Sequence, residues 1–149
     1  MEGFLETTYD KFIFRVKEGY LYLKEDFWVK IEGNSALVGI SDFLQKARGD
    51  VAFLETVEVG HEVRQGEEIG TIETIKATFG IISPVTGLVM ETNPKLEGSP
   101  YLINEDPYGE GWIYKIQTTR LEEDRKGLLS AGDYLELMKE KIKQEMEKK

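Results

Sequence analysis

The sequence predicts a mainly β domain built as a sandwich or a barrel. Two stretches alternate apolar and polar residues as half-buried strands do, and Gly or Pro interrupts the β-branched segment 50–93 every few residues. The chain has 149 residues, 40% of them hydrophobic, which suits one domain with a core of its own.

Strand patterns begin near the N-terminus. Phe12, Phe14 and Val16 fall on one face of a predicted strand, and Trp28 begins a second strand-like run. The Glu-Gly-Asn-Ser-Ala segment at residues 32–36 then predicts a turn between two strands.

A short helix is predicted over residues 42–48. Ser41 can cap its start, Asp42 lies at its positive end, and Gly49 can end it. Strand patterns resume after this helix.

The C-terminal part is predicted as a loop over residues 104–112, a strand from Trp112, and helix after Thr118. Ser130 and Asp133 form a weak capping box. An apolar stripe follows at helical spacing, made of Tyr134, Leu135, Met138 and Ile142.

Lys76 interrupts a strand-like stretch, Gly-Thr-Ile-Glu-Thr-Ile-Lys-Ala-Thr-Phe-Gly at residues 70–80. An unpaired lysine is costly to bury, so this side chain is expected to reach water. Gly66 lies ten residues before Lys76 and Gly87 eleven after it, in two roughly mirrored halves. We therefore predict a hairpin with Lys76 at its tip.

Composition excludes several classes of function. The net charge of −9 argues against binding nucleic acid or anionic membranes. The absence of cysteine excludes disulfides and thiolate sites. The single histidine, His61, has no partner residues that would make a catalytic or metal site. No signal peptide or membrane span is recognised, and we expect a cytoplasmic protein.

Four segments carry a resemblance to a known family. They are residues 27–60, 66–77, 83–89 and 102–116, and the second contains Glu73-Thr74-Ile75-Lys76-Ala77. In this order, between Tyr22 and Leu137, they resemble the lipoyl-carrying H proteins of the glycine cleavage system.

The resemblance implies a fold and a division of the chain. The fold is the lipoyl/biotinyl-type barrel-sandwich hybrid of two small antiparallel sheets, with the helix near 42–48 and C-terminal helices. Residues 1–20 would be an N-terminal extension and residues 21–149 the carrier domain.

The resemblance also implies a lipoyl group in amide linkage to Lys76, with Glu73 recognised by the lipoylating enzyme. Biotin carriers are less similar, because they place the lysine between methionines and here Ile75 and Ala77 flank it. Acylation removes the lysine charge, and the strained disulfide ring of lipoate is easily reduced.

The implied role is that of a carrier rather than an enzyme. The implied partners are a lipoate ligase or lipoyltransferase, glycine decarboxylase, aminomethyltransferase and dihydrolipoamide dehydrogenase.

Three departures from the family pattern concern the cargo. Family members usually read His-Glu-Trp where residues 26–28 read Asp-Phe-Trp, and their glutamate helps to hold the aminomethyl cargo. Histidines of the short helix are replaced by Phe43 and Ala47, and a Ser-Asp pair by residues 79–80, Phe-Gly. An altered aminomethyl pocket is therefore expected.

Three functions stay open at this point. The chain could be a glycine cleavage carrier with a rebuilt pocket. It could be an H-like lipoate-binding protein of a heterodisulfide-reductase-like complex in sulfur metabolism, with a less polar cargo. It could also be an interaction module that keeps the fold without lipoylation.

Overall fold

The computed structural model describes residues 3–147, so the ends of the predicted extension and tail, 1–2 and 148–149, lie outside it. All its strand pairs are antiparallel. The strands are β1 (Phe4–Tyr9), β2 (Phe12–Lys17), β3 (Leu21–Tyr22), β4 (Phe27–Glu32), β5 (Ser35–Ile40), β6 (Val51–Thr56), β7 (Glu62–Val63), β8 (Glu68–Thr74), β9 (Thr78–Ile82), β10 (Gly87–Thr92) and β11 (Tyr114–Thr118).

These strands form two main sheets and one hairpin. The larger sheet has six strands in the order β3-β4-β5-β11-β10-β7, and the smaller has three in the order β6-β8-β9. The two strands β1 and β2 pair only with each other. The predicted mainly β fold of two antiparallel sheets is confirmed.

Five helices complete the described chain. They are α1 (Asp42–Arg48), α2 (Lys95–Gly98), α3 (Leu102–Glu105), α4 (Leu121–Arg125) and α5 (Ala131–Glu147). Helix α1 has the predicted bounds, and its Leu44 amide donates to the Ser41 hydroxyl at 3.2 Å. None of these helices is both long and apolar enough to cross a membrane.

The segment after Pro100 differs from its prediction. The predicted loop 104–112 begins inside α3, and the strand begins at Tyr114 rather than Trp112. The Gly111 amide donates to the Asp106 carbonyl at 2.9 Å, which folds this segment back on itself before pairing with β5 can begin.

The buried apolar side chains form two cores. The first lies between the two main sheets and includes the fully buried Val38, Ile72 and Ile116. The second lies beneath α5 and the N-terminal hairpin. Of the predicted stripe, Tyr134, Met138 and Ile142 are buried there, while Leu135 is only partly buried.

Trp28 shows how tightly the second core is packed. It is fully buried, and its indole N–H donates to the Pro107 carbonyl at 2.9 Å. Gly39 lies opposite Trp28 on the neighbouring strand, where an added Cβ would come within 2.5 Å of the indole ring. Only glycine fits at this position.

A buried polar network joins α5 to the larger sheet. The Tyr134 hydroxyl donates to Asp26 Oδ1 at 2.7 Å, and Lys141 Nζ lies 2.9 Å from Asp26 Oδ2. Burial raises the pKa of Asp26 above its usual 3.8, while these two partners oppose that shift.

Because Asp26 holds its proton more tightly when folded, its contribution to stability is greatest at low pH. We predict that the advantage of the wild type over Asp26→Asn in free energy of unfolding shrinks as pH rises from about 4. Urea denaturation across a pH series measures it. An advantage that grows with pH would show that the Lys141 ion pair dominates instead.

Candidate functional site

Lys76 lies in the three-residue connection between β8 and β9, as predicted. Thr74 closes this connection. Its amide donates to the Ala77 carbonyl at 2.8 Å, and its hydroxyl accepts from the amides of Ala77 at 3.0 Å and Lys76 at 3.3 Å. The backbone around Lys76 is therefore held by one buried threonine.

The same threonine joins the hairpin to α1. Its hydroxyl lies 2.7 Å from the Arg48 carbonyl at the end of that helix. A second contact runs from the Ile75 amide to the Asp50 carbonyl at 3.1 Å. The hairpin tip is thus fixed to the turn that follows α1.

That turn is itself held in place. Gly49 has φ of +91°, a conformation that glycine adopts without strain. The Asn104 side chain donates to the Gly49 carbonyl at 3.0 Å and accepts from the Val51 amide at 2.9 Å. Asn104 therefore supports the Lys76 hairpin from a distant part of the chain.

The side chain of Lys76 lies over Gly49. A Cβ added to Gly49 would be 3.5 Å from both Cγ and Cε of Lys76. The methylene chain therefore runs along the end of α1, although Lys76 as a residue is exposed.

Beside Lys76 lies a mostly apolar groove of about 330 Å³, here called the Lys76 groove. Four parts of the chain build it: β2, α1, the end of α5 and the β8–β9 connection that carries Lys76. The groove is lined by Phe12, Phe14, Phe43, Lys46, Ala47, Lys76, Ile142, Glu145 and Met146.

Glu73 lies on the outer face of the smaller sheet. It is exposed and pairs with Phe53 on one side and Thr78 on the other. Phe53 is 49% exposed and Ile75, next to Lys76, is 77% exposed. The structure thus places Glu73 and Lys76 at the same end of one hairpin, beside two exposed apolar side chains.

The positions that depart from the family pattern do not form one cluster. Phe43 and Ala47 line the Lys76 groove. Phe27 is instead buried in the core between the sheets, and the Phe79 ring lies 5.8 Å from the Arg48 guanidinium carbon. Neither of these phenylalanines is among the groove residues.

Other candidate chemistry stays apart from Lys76. His61 Nε2 is 3.8 Å from the Glu67 carboxylate, and neither residue lines the groove. Within residues 3–147, no group of three or more acidic or histidine side chains could hold a metal ion.

The part that Thr74 and most of the groove residues play at this site was not predicted from the sequence. Thr74 precedes a tight turn, where a threonine hydroxyl often binds the backbone, and this could have been read locally. Met146 continues the stripe of Tyr134, Met138 and Ile142 at the same four-residue spacing. The role of Asn104 has no local signal, because its partners lie 53 and 55 residues away.

Comparison with known proteins gives a consistent result. The family model described as "Glycine cleavage H-protein" matches residues 20–141. A "Probable glycine cleavage system H protein" from Pyrococcus abyssi is 46% identical over 127 residues, covering 85% of this chain and 94% of that relative. A "Glycine cleavage system H protein" from Carboxydothermus hydrogenoformans is 42% identical over 119 residues, covering 80% and 91%.

A solved structure agrees with these relatives. The crystal structure of a glycine cleavage system H protein from Mycobacterium marinum matches with a TM-score of 0.70 and 34% identity. The match covers 78% of this chain and 93% of that one.

We predict that Thr74→Val lowers the free energy of unfolding by about 1–3 kcal/mol, because it leaves two amides at the tip and the Arg48 carbonyl without their hydroxyl partner. Thr71→Val on the same strand is the control, since no hydrogen bond of the Thr71 side chain is found within residues 3–147, and it should cost less than about 0.5 kcal/mol. Urea denaturation of both variants makes the measurement. Equal losses would mean that Thr74 does not hold the tip.

Proposed function

The chain belongs to the glycine cleavage H-protein family, and from that premise we propose that it carries lipoate in amide linkage to Lys76. The observation that carries this proposal is the position of Lys76. It is an exposed amine at the tip of a hairpin that Thr74 fixes to α1.

The surroundings of Lys76 fit such a group. Amide formation joins Lys76 Nζ to the lipoyl carboxyl carbon with the overall release of one water, so the ammonium charge is lost. The methylene chain of the lysine already lies against Gly49, and the mostly apolar Lys76 groove begins beside it. Lipoate would supply a disulfide that can be reduced and can bind a cargo through sulfur, which this cysteine-free chain cannot do.

The residues of the chain then position the arm rather than react. Thr74 and Asn104 hold the tip, and the flexible arm supplies the reach between partner enzymes. We therefore propose a carrier component, not an enzyme. Residues 21–149 would form the carrier domain and residues 1–20 an extension, in keeping with a family match that begins at residue 20.

For the cargo we propose the glycine cleavage pathway, with glycine decarboxylase, aminomethyltransferase and dihydrolipoamide dehydrogenase as partners. The relatives named above are glycine cleavage H proteins and align over more than nine tenths of their own length. None of them carries a name from a heterodisulfide-reductase-like system. The burial of Phe27 in the main core also weakens the idea of one altered pocket.

For the lipoylating enzyme, a ligase or lipoyltransferase, we propose docking on the end of the smaller sheet. Glu73 supplies a charge there, and Phe53 and Ile75 supply exposed apolar area. The net charge of −9 favours a partner with a basic docking surface.

Intact-mass analysis after co-expression with a lipoate ligase tests the proposal. Wild type and Lys143→Arg should gain one lipoyl group, and Lys76→Arg should gain none. The lipoylated protein should then support glycine–bicarbonate exchange by glycine decarboxylase. An unmodified wild type would favour the interaction module, and a lipoylated protein without exchange would contradict the glycine cargo.

Glu73→Gln should slow the initial rate of lipoylation roughly fivefold, as expected for loss of a partly exposed charge contact. Glu55→Gln is the matched control, because Glu55 lies two residues from Phe53 on the same face of β6. Rates are measured by mass spectrometry with purified ligase. If both variants react at the wild-type rate, Glu73 is not a recognition residue.

A further inference from the structure

The Lys76 groove is built largely from parts of the chain that the family match does not cover. Phe12 and Phe14 come from the N-terminal hairpin, and Ile142, Glu145 and Met146 from the end of α5. The family match ends at residue 141 and begins at residue 20. These elements therefore add a wall beside the lysine from outside the family match.

We propose that this wall holds the acylated arm of Lys76, and that Glu145 faces the positively charged end of an amine-bearing cargo. The proposal rests on the function proposed above. It assigns a positioning role to Phe12 and Met146 and a cargo-selecting role to Glu145.

The shape and chemistry of the groove support the proposal that its wall holds the acylated arm. Lys76 is itself a groove residue, so a chain attached to Nζ starts beside the groove. Its volume of about 330 Å³ is at the lower end of the range for small-molecule sites, roughly 300–1,000 Å³. Aromatic and aliphatic walls favour the hydrocarbon part of an acyl chain over water.

The charges in the groove support the proposed role of Glu145 toward a positively charged cargo. Three charged side chains line it, Lys46, Lys76 and Glu145. Lys46 is already engaged, with Nζ 2.7 Å from Asp42 Oδ2 and 2.7 Å from the Ile13 carbonyl.

Acylation removes the charge of Lys76, and Glu145 is then the groove charge without an ion-pair partner among residues 3–147. No ion pair of Glu145 is found in the part of the chain that the structure describes. A cation at the end of the arm would supply one, whereas an anion would be repelled.

Thiol accessibility tests the wall. The lipoylated protein is reduced, and the rate of alkylation by neutral iodoacetamide is followed by intact mass. Phe12→Ser and Met146→Ser should react at least about threefold faster than wild type, because they remove apolar contact with the arm. Phe4→Ser and Met90→Ser make the same substitutions at positions outside the groove and should react as wild type does. Phe4 is 47% exposed, close to the 41% of Phe12.

Charge-dependent alkylation tests Glu145. Bromoethylamine leaves an ammonium at the end of the arm: sulfur bonds to carbon, bromide departs, and the thiol proton passes to the buffer. The measured quantity is the alkylation rate with bromoethylamine divided by the rate with anionic iodoacetate. This ratio should be about two- to fivefold lower in Glu145→Gln than in wild type, the range for a partly exposed charge pair. Glu140→Gln, on the exposed side of α5, should leave the ratio unchanged.

The outcomes separate the two proposals. A wild type without a lipoyl adduct contradicts the proposed function, and with it this inference. A lipoylated wild type whose thiols react as fast as those of the groove variants contradicts the wall alone. An unchanged ratio in Glu145→Gln contradicts the role of Glu145 alone.

Discussion

The hydrogen bond between the Thr74 hydroxyl and the Arg48 carbonyl is the contact on which the candidate site depends. It joins the smaller sheet to the end of α1. A hairpin tip alone would leave Lys76 free to move with its strands. Tied to a helix that is itself fixed through Asn104, the tip presents its amine at one place on the surface. Such a fixed base lets a long flexible arm search a defined volume.

The second core explains why the chain needs more than the two main sheets. The N-terminal hairpin and α5 pack together on the face of the larger sheet that carries Trp28. The Tyr22 and Tyr134 rings stack there, 4.5 Å apart and nearly parallel. Burying these side chains also brings Phe12 and Met146 beside Lys76, so packing at this face determines what lies next to that lysine.

Much of this arrangement could be predicted where the signal is local. Ser41 and Gly49 set the bounds of α1, and the mirrored halves around Lys76 predicted the hairpin. The helices at Lys95–Gly98 and Leu102–Glu105 were not predicted, because each is only four residues long and too short for a periodic pattern. The groove could not be predicted either, since it joins residues more than one hundred positions apart.

The departures from the family pattern show the same limit. As sequence they suggested one altered pocket, but the structure distributes them between the main core and the groove. A substitution at one of these positions can therefore affect the proposed cargo only if its side chain lies in the groove. Glu145, which no family motif marks, lines the Lys76 groove.

Peptide mapping by tandem mass spectrometry after lipoylation by purified ligase tests the central claim most directly. The chain has fourteen lysines, and most are exposed enough to compete as acceptors. We expect the lipoyl group on Lys76 and on no other lysine. A lipoyl group on a different lysine, or one spread over several, would contradict it.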